Sequence, residues 1–245
     1  MIIVTICVRN EEEIIGQCIE HHLSEGAVKI ILTDNGSTDN TRYIAEKYKE
    51  VEIIDEPNHD YRHGEWVTRM ARLAFNRGAT WVANIDADEF WSNIKYVYDV
   101  KEDVSVIRIA PNYDFLPLKS SKSGEFNQNL MPFWTRSKQR LRLIHRSFPN
   151  VIVSDGNHFV MNCPGKEIES DEIIMKHYSI RSYEQFEKKV IKGGTALLKS
   201  PQGIDKSTHW RYWYKLYNEG NLRFHYENNI CIDDKLYEMK CRILL

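Results

Sequence analysis

The sequence predicts an α/β fold: a mainly parallel sheet with helices on both faces, followed by a helical C-terminal extension. Three observations carry this. A continuous apolar run at residues 2–8, as expected of a strand covered on both faces, is followed by shorter, mainly apolar strand-like runs at 28–33, 51–54 and 81–85. The segments between them place apolar residues at helical spacing. Polar or acidic residues follow the runs directly, at Asn10-Glu11, Asp34 and Asp86 to Glu89. Ligands of such sheets bind at the carboxyl ends of the strands, so these groups should converge on one edge.

Each element has its own signal. Ile2 to Val8 reads as the first strand. Glu11 to Glu25 reads as a helix, with Ile14, Ile15, Cys18, Ile19 and Leu23 on one side. Val28 to Thr33 is the second strand. Ser37 to Lys49 is the second expected helix, with Ser37, Thr38 or Asp39 able to cap it. Val51 to Ile54 is the third strand. Gly64 to Arg77 is the third helix, and Gly78 is placed to end it. Trp81 to Ile85 is the fourth strand. Beyond residue 100, Val104 to Ala110 reads as a strand and 111–134, polar and Pro-bounded, as a long loop or flap. QRLRLIHR (139–146) alternates basic with apolar residues and reads as a strand. Val151 to Val153 and Ile173 to His177 are short strands. Helices are expected from about Ser182 to Lys192 and over Thr208 to Tyr217. This divides the chain into a domain of residues 1–194, with a nucleotide-binding half (1–100) and an acceptor half (101–194), and an extension at 195–245.

Bulk properties narrow the function. The 245 residues are 42% hydrophobic and 28% charged, with a net charge of -2, which gives no general pull toward nucleic acid or anionic membrane. A nucleic-acid binder could use Arg136 to Arg146, but the acidic centre opposes it. No run of 18 apolar residues suggests a transmembrane helix. The N-terminus, MIIVTICVRNEEE, has neither a basic leader nor a small-residue cleavage site, so it reads as a strand and not a signal peptide. Five cysteines without C-x-x-C spacing point to a reducing compartment, the cytoplasm or the cytoplasmic side of a membrane, and away from a disulfide framework.

The most informative stretch is WVANIDADEF (81–90). Three carboxylates in four residues at the end of a buried strand are costly unless a cation meets them. Mg²⁺ or Mn²⁺ carrying a diphosphate would do so, since hard cations take one or two carboxylates plus substrate phosphates. An acidic turn in solvent is the plain alternative. Asp34 could accept from the imide N–H of uracil, or hold an Asx turn. Asn10 and Glu11 could line a nucleoside or only start a helix. Arg69 could meet diphosphate or base, and Arg72 competes with it. His59 and His63 are four apart but start from a Pro-Asn turn, so HDYRH reads as a loop edging the pocket. His177 ends an apolar strand and could ligate a metal through a neutral imidazole. Asp155 and His158 flank a turn in SDGNH; either could be a general base, and either could hold the turn.

Taken together, VTICVRNEEEII, TDNGSTDNT and IDADEF resemble the nucleotide-sugar-dependent glycosyltransferases of the GT-A fold, specifically the family 2-like group. The resemblance covers residues 1–90 closely and 140–192 more loosely. It implies that Asp34 binds the base, and that Val8, Asn10 and Glu11 line the nucleoside. Arg69, seventeen residues before Asp86, would lie near the nucleotide. Asp86 and Ala87 of the D-x-D would meet the ribose. Asp88 would bind the metal with His177, in HYSIRSYEQFEKK. Lys189 and Lys192 could supplement the metal or form a solvated helix face. Many relatives carry their catalytic acid in a Glu-Asp pair; here SDGNH stands in that region, so Asp155 is the first choice of base and His158 the second. The implied reaction is an inverting transfer of a sugar from a nucleoside-diphosphate sugar, UDP foremost, to an acceptor hydroxyl in glycan biosynthesis. A pyrophosphorylase would need a Gly-rich loop after the first strand, and CVRNEEE has no glycine. A non-catalytic binding module on the same scaffold is the other alternative.

Overall fold

The computed structural model describes the chain except residues 57–61, 110, 111, 125, 129, 130, 132, 137–141, 200–207 and 236–245. The elements run β1 (Ile2–Val8), α1 (Ile15–Ser24), β2 (Ala27–Asp34), α2 (Thr41–Ala45), β3 (Val51–Asp55), α3 (His63–Asn76), β4 (Trp81–Asp86) and β5 (Glu89–Ser92). There follow β6 (Val104–Ile109), β7 (Asn112–Leu116), β8 (Phe133–Arg136), β9 (Arg142–Arg146), β10 (Ile152–Val153), β11 (Val160–Met161), β12 (Lys166–Ser170) and β13 (Ile174–His177). Helices α4 (Tyr183–Lys199), α5 (Thr208–Asn218) and α6 (Leu222–Asn229) complete the described chain.

Two compact units result: Met1–Tyr113 with Arg136–His177, and Asp114–Thr135 with Tyr178–Leu245. The first holds a seven-stranded sheet in the order β12-β6-β9-β4-β1-β2-β3. Its β3-β2-β1-β4 half is parallel throughout, as the apolar runs predict. The antiparallel strand β9 joins that half to the parallel pair β6 and β12. The short strands β5 and β13 pair antiparallel.

Packing explains why these segments fold as they do. The stripe Val67, Met70, Ala71 and Ala74 of α3 packs on Ile3, Ile31 and Val82 of the sheet, with Val151 and Val153 completing the cluster. The alternate β1 residues Ile2, Val4 and Ile6 are also fully buried, so β1 is covered on both faces. One polar pair lies inside the sheet: the Thr5 hydroxyl donates to Asn84 Oδ1 at 2.7 Å, which satisfies that oxygen and leaves the buried Asn84 Nδ2 without a hydrogen-bond partner among the described residues. Gly78, at φ +83°, ends the α3 segment as expected.

Several expectations need correction. α1 starts at Ile15, not Glu11, because the Glu11 carbonyl accepts the Ile14 and Ile15 N–H groups in a preceding turn. The expected helix from Ser37 to Lys49 shrinks to the five residues of α2. The expected flap at 111–134 contains β7 and begins β8, which are adjacent strands. β5, β11, β12 and α6 carry no signal read from the sequence. α4 runs seven residues past Lys192 and continues through the expected 194/195 boundary. In the second unit, Phe186 and Val190 of α4 pack with Leu222 and Tyr226 of α6, alongside Trp210 and Trp213 of α5.

Buried histidines give the fold a pH dependence. His22 is fully buried; its Nδ1 donates to the Cys18 carbonyl at 2.8 Å and its Nε2 accepts from the Trp91 N–H at 3.3 Å. That pairing requires the neutral ring. Burial first, then the neighbouring His21, pushes its pKa down to about 3, and burial pushes His145 down to about 4. The unfolded chain therefore binds more protons than the native one below the ordinary histidine value of 6.5. Stability should fall as pH drops from about 6.5 toward 4, by up to about 1.4 kcal/mol per pH unit for each ring. Urea unfolding at a series of pH values checks this; a flat profile from pH 7 to 5 would refute it.

Candidate active site

Sheet register builds the site in the first unit. Val8 of β1 stands opposite Asp34 of β2, and Cys7 stands opposite Asp86 of β4. Parallel strands end on the same side, so the loops after β1, β2 and β4 share one edge. The Val8 carbonyl accepts the Asn35 N–H at 3.0 Å. Asn10 takes φ +57°, a left-handed conformation that Asn tolerates. Its Oδ1 accepts the Thr38 N–H at 2.8 Å, and its own N–H donates to Ser37 Oγ at 3.0 Å. The Glu11 N–H donates to Thr41 Oγ1 at 2.8 Å. Asn10 and Glu11 thus stitch the loop after β1 to the one after β2.

Asp34 is 5% exposed, and its Oδ1 accepts the N–H of Ser37, three residues on, at 3.0 Å, which holds the turn after β2. Its Oδ2 lies 4.0 Å from Arg42 Nη1. Arg69, on α3, donates to Glu56 Oε2 at 3.0 Å. The competing Arg72 is turned to the Val151 carbonyl at 2.9 Å. Cys7, in the midst of these groups, has its thiol pushed up to about 12 by burial and by Asp86.

The acidic turn divides into two sides. Ala87 is buried. Asp88 Oδ1 is 3.5 Å from His177 Nε2, because His177 of β13 pairs with Glu89 of β5. Asp86 and Glu89 face Arg142 instead. Arg142 Nη2 donates to Asp86 Oδ2 at 2.8 Å and its Nε to Glu89 Oε1 at 2.6 Å. Burial pushes the Glu89 carboxyl up, and Arg142 pulls it back. Burial also opposes the Arg142 charge, but Glu89 and Asp86 outweigh it and raise the guanidinium above its ordinary value.

Arg142 Nη1 donates to the Gly156 carbonyl and lies 3.2 Å from His158 Nδ1. Asn157 Nδ2 is 3.4 Å from Asp86 Oδ1. Asp155 Oδ1 accepts the Gly64 N–H at 2.8 Å, at the start of α3. A Cβ on Gly64 would sit 2.9 Å from that same oxygen, so a side chain there would have to displace the Asp155 carboxylate. His63 Nδ1 accepts the Gly156 N–H at 3.3 Å, and its Nε2 is 3.9 Å from Asp86 Oδ1. His59, Asp60 and Tyr61 lie outside the described residues. Lys189 belongs to the second unit, where it donates to the Ser179 carbonyl at 3.2 Å.

Sequence reading passed over Arg142, Glu56, Asn157 and the role of Glu89; His63, read as part of a loop edging the pocket, opens α3 beside Asp86. One signal was available for Arg142: a basic residue inside an apolar strand of a chain that must balance a buried acidic triplet. Its side chain is 10% exposed, so it is not offered to a nucleic-acid phosphate.

Comparison with known proteins adds the following. A family model described as "Glycosyl transferase family 2" matches residues 3–159. No curated protein matches. Among solved structures, residues 1–349 of S. aureus TarS are similar at 12% identity. The match covers 93% of this chain and 72% of that one, with a TM-score of 0.48. The same fragment has been solved with UDP-GlcNAc. Glucosyl-3-phosphoglycerate synthase from Mycobacterium tuberculosis, solved with Mn²⁺, UDP and glucosyl-3-phosphoglycerate, matches at 19% identity. There the match covers 46% of this chain and 44% of that one, with a TM-score of 0.35. No helix among the described residues is long and apolar enough to cross a membrane.

Proposed function

This chain belongs to glycosyl transferase family 2 and has the GT-A fold, and from that premise we propose a metal-dependent inverting transfer from a nucleoside-diphosphate sugar, UDP foremost, to an acceptor hydroxyl of a glycan or glycoconjugate. The observation that carries the reading is the shared sheet edge. Register sets Asp34 opposite Val8 and Asp86 opposite Cys7, so a candidate base-binding acid and a candidate diphosphate-binding acidic turn stand at the ends of β2 and β4, the two strands that flank β1.

In this reading Asp34 accepts from the base imide, Val8, Asn10 and Glu11 line the nucleoside, and Arg69, steered by Glu56, lies beside it. Asp86 and Ala87 meet the ribose. Asp88 and His177 offer one carboxylate oxygen and one imidazole nitrogen 3.5 Å apart, close enough for one ion to reach both, which suits Mn²⁺ or Mg²⁺ with phosphates completing the shell. A bound cation would supply charge stabilisation to the departing diphosphate. Asp155 takes the proton from the attacking hydroxyl, with His158 the second choice. The reducing compartment inferred from the cysteines stays part of this reading.

Hydrolysis of a panel of nucleotide sugars with and without Mn²⁺ tests the function, because many transferases slowly hydrolyse their own donor. Turnover of no donor, with no UDP binding by calorimetry, would overturn it. One variant tests the base pocket. Asp34→Ala should weaken UDP binding by about 1.5–3 kcal/mol, the range for a hydrogen bond to a charged group. Turnover at saturating donor should change much less, because the contact is present in both ground and transition states. Equal UDP affinity in the two proteins would reduce Asp34 to a turn residue.

A further inference from the structure

We propose that the outer face of the β10–β11 ribbon is an acceptor platform, and that the acceptor is an amphipathic glycoside: its sugar ring lies on Phe159 and its apolar aglycone runs over Met161 and Ile152. The inference rests on the transferase reading above and deepens it, from an acceptor hydroxyl in general to a substrate class and the residues that select it.

The ribbon has a simple register. Ile152 stands opposite Met161 and Val153 opposite Val160. The Ser154 N–H donates to the Phe159 carbonyl at 2.9 Å and the Phe159 N–H to Ser154 Oγ at 3.0 Å, which carries the pairing one step further. Side chains alternate along a strand, so Val153 and Val160 share one face, and Ile152, Phe159 and Met161 share the other. The first face packs on the apolar cluster beneath α3. The second should then be polar, as in antiparallel pairs with one solvated side. Instead Ile152 is 36% exposed, Phe159 49% and Met161 54%. The inner face alone serves folding, and contiguous apolar side chains left in solvent mark a binding surface.

What the face binds follows from where it begins. The connection between β10 and β11, residues 154–159, carries Asp155 and His158. A base must come within hydrogen-bond reach of the hydroxyl it deprotonates, so the reacting end of the acceptor stands at this turn and the remainder leaves along a neighbouring surface. Phe159 is the first side chain of the outer face on that path, and its surroundings are amphipathic. The Arg108 guanidinium lies 5.4 Å from the ring centre and donates to the His158 carbonyl at 3.0 Å. It also holds both oxygens of Glu167, whose side chain is 47% exposed. An aromatic face with a half-exposed carboxylate at its rim suits a pyranose, which offers C–H groups to the ring and hydroxyls to the acid. A strand advances about 3.3 Å per residue, so Met161 stands about 7 Å beyond Phe159 on the same face. There the surface turns wholly apolar. Hydroxyl, sugar, hydrocarbon is the order of groups in a glycoside with an apolar aglycone, whereas a plain polysaccharide offers nothing apolar to Met161 and Ile152.

The test follows binding to the whole chain, labelled with ¹³C-methyl methionine and held with saturating UDP and Mn²⁺. The Met161 methyl signal is identified by its loss in Met161→Leu. The probes are methyl and n-octyl β-glycosides of glucose, galactose, mannose and N-acetylglucosamine, with octyl sulfate as a chain without a sugar, all below their micelle concentrations. At least one octyl glycoside should shift the Met161 methyl and bind at least about tenfold more tightly than its methyl counterpart, the gain from burying two methylene groups. Phe159→Leu keeps apolar bulk and removes the ring; it should weaken that octyl glycoside about 3–10-fold, the scale of one aromatic contact. Met161→Gln should erase most of the difference between octyl and methyl. UDP affinity should stay within a few-fold of wild type in both variants.

An unmoved Met161 methyl with every octyl glycoside would overturn the proposal, as would wild-type affinity in Phe159→Leu. Equal binding of octyl sulfate would reduce the patch to a detergent contact. A dimer in sedimentation that Met161→Gln dissociates would assign the patch to a second copy of the chain, and pelleting with phosphatidylglycerol vesicles that the same variant abolishes would assign it to a bilayer; each of these outcomes also ends the platform. A wild type that neither binds UDP nor hydrolyses a donor would sink the transferase reading itself, whereas one that does both and ignores every glycoside would sink this inference alone.

Discussion

Asp88→Ala should lower turnover of a confirmed donor by about 10²–10³-fold, the scale on which losing one preorganised electrostatic contact to a transition state is felt. The same change should abolish the stimulation of turnover by Mn²⁺. The fold should survive. Asp88 lies two residues beyond the end of β4, in the turn before β5, and is not part of the apolar cluster beneath α3. Its Oδ1 lies 3.5 Å from His177 Nε2. The thermal midpoint should therefore stay within a few degrees of wild type. His177→Ala should share the phenotype, since the two side chains offer their donors to one point. Unchanged, metal-stimulated turnover by Asp88→Ala would remove the D-x-D from the mechanism.

The second large effect concerns proton removal. If Asp155 takes the acceptor proton, Asp155→Asn should lower kcat by about 10²–10⁴-fold with UDP affinity nearly unchanged. The substitution is well suited to the local structure. Asp155 Oδ1 accepts the Gly64 N–H at 2.8 Å, and an asparagine oxygen can accept the same bond, so the start of α3 keeps its anchor. His158→Gln is the matched control. Arg142 Nη1 lies 3.2 Å from one of its ring nitrogens and 3.5 Å from the other, so His158 stands beside a fixed cation. If the His158 variant loses turnover and the Asp155 variant does not, the roles are reversed. If neither loses more than a few-fold, another group removes the proton.

These expectations draw on different parts of the chain's information. Local sequence determined the strands β1 to β4 and helices α1 and α3 to within a few residues, because period and punctuation are local: apolar runs, helical spacing, and Gly78 at a helix end. It also determined that Asn10, Asp34 and the acidic turn stand at one sheet edge, since parallel strands share a direction. Where local signals were weak, tertiary context decided. α2 is five residues long although its residues would suit a longer helix, and β7 formed inside a stretch that reads as loop because adjacent strand pairing, not periodicity, made it a strand.

Only the tertiary structure decided what each acid of the triplet faces. Three carboxylates in a row carry no instruction about which meets a histidine and which an arginine. That choice depends on strand register: His177 beside Glu89 across β5 and β13, and Arg142 reaching Asp86 and Glu89 from β9. The contact between Gly64 and Asp155 spans 91 residues and has no local signature at either end. The types of residue at the site follow from the chemistry that acids, amides and imidazoles can do, and this is written in the sequence. Their partners follow from which strands lie side by side, and that is settled only when the whole core packs.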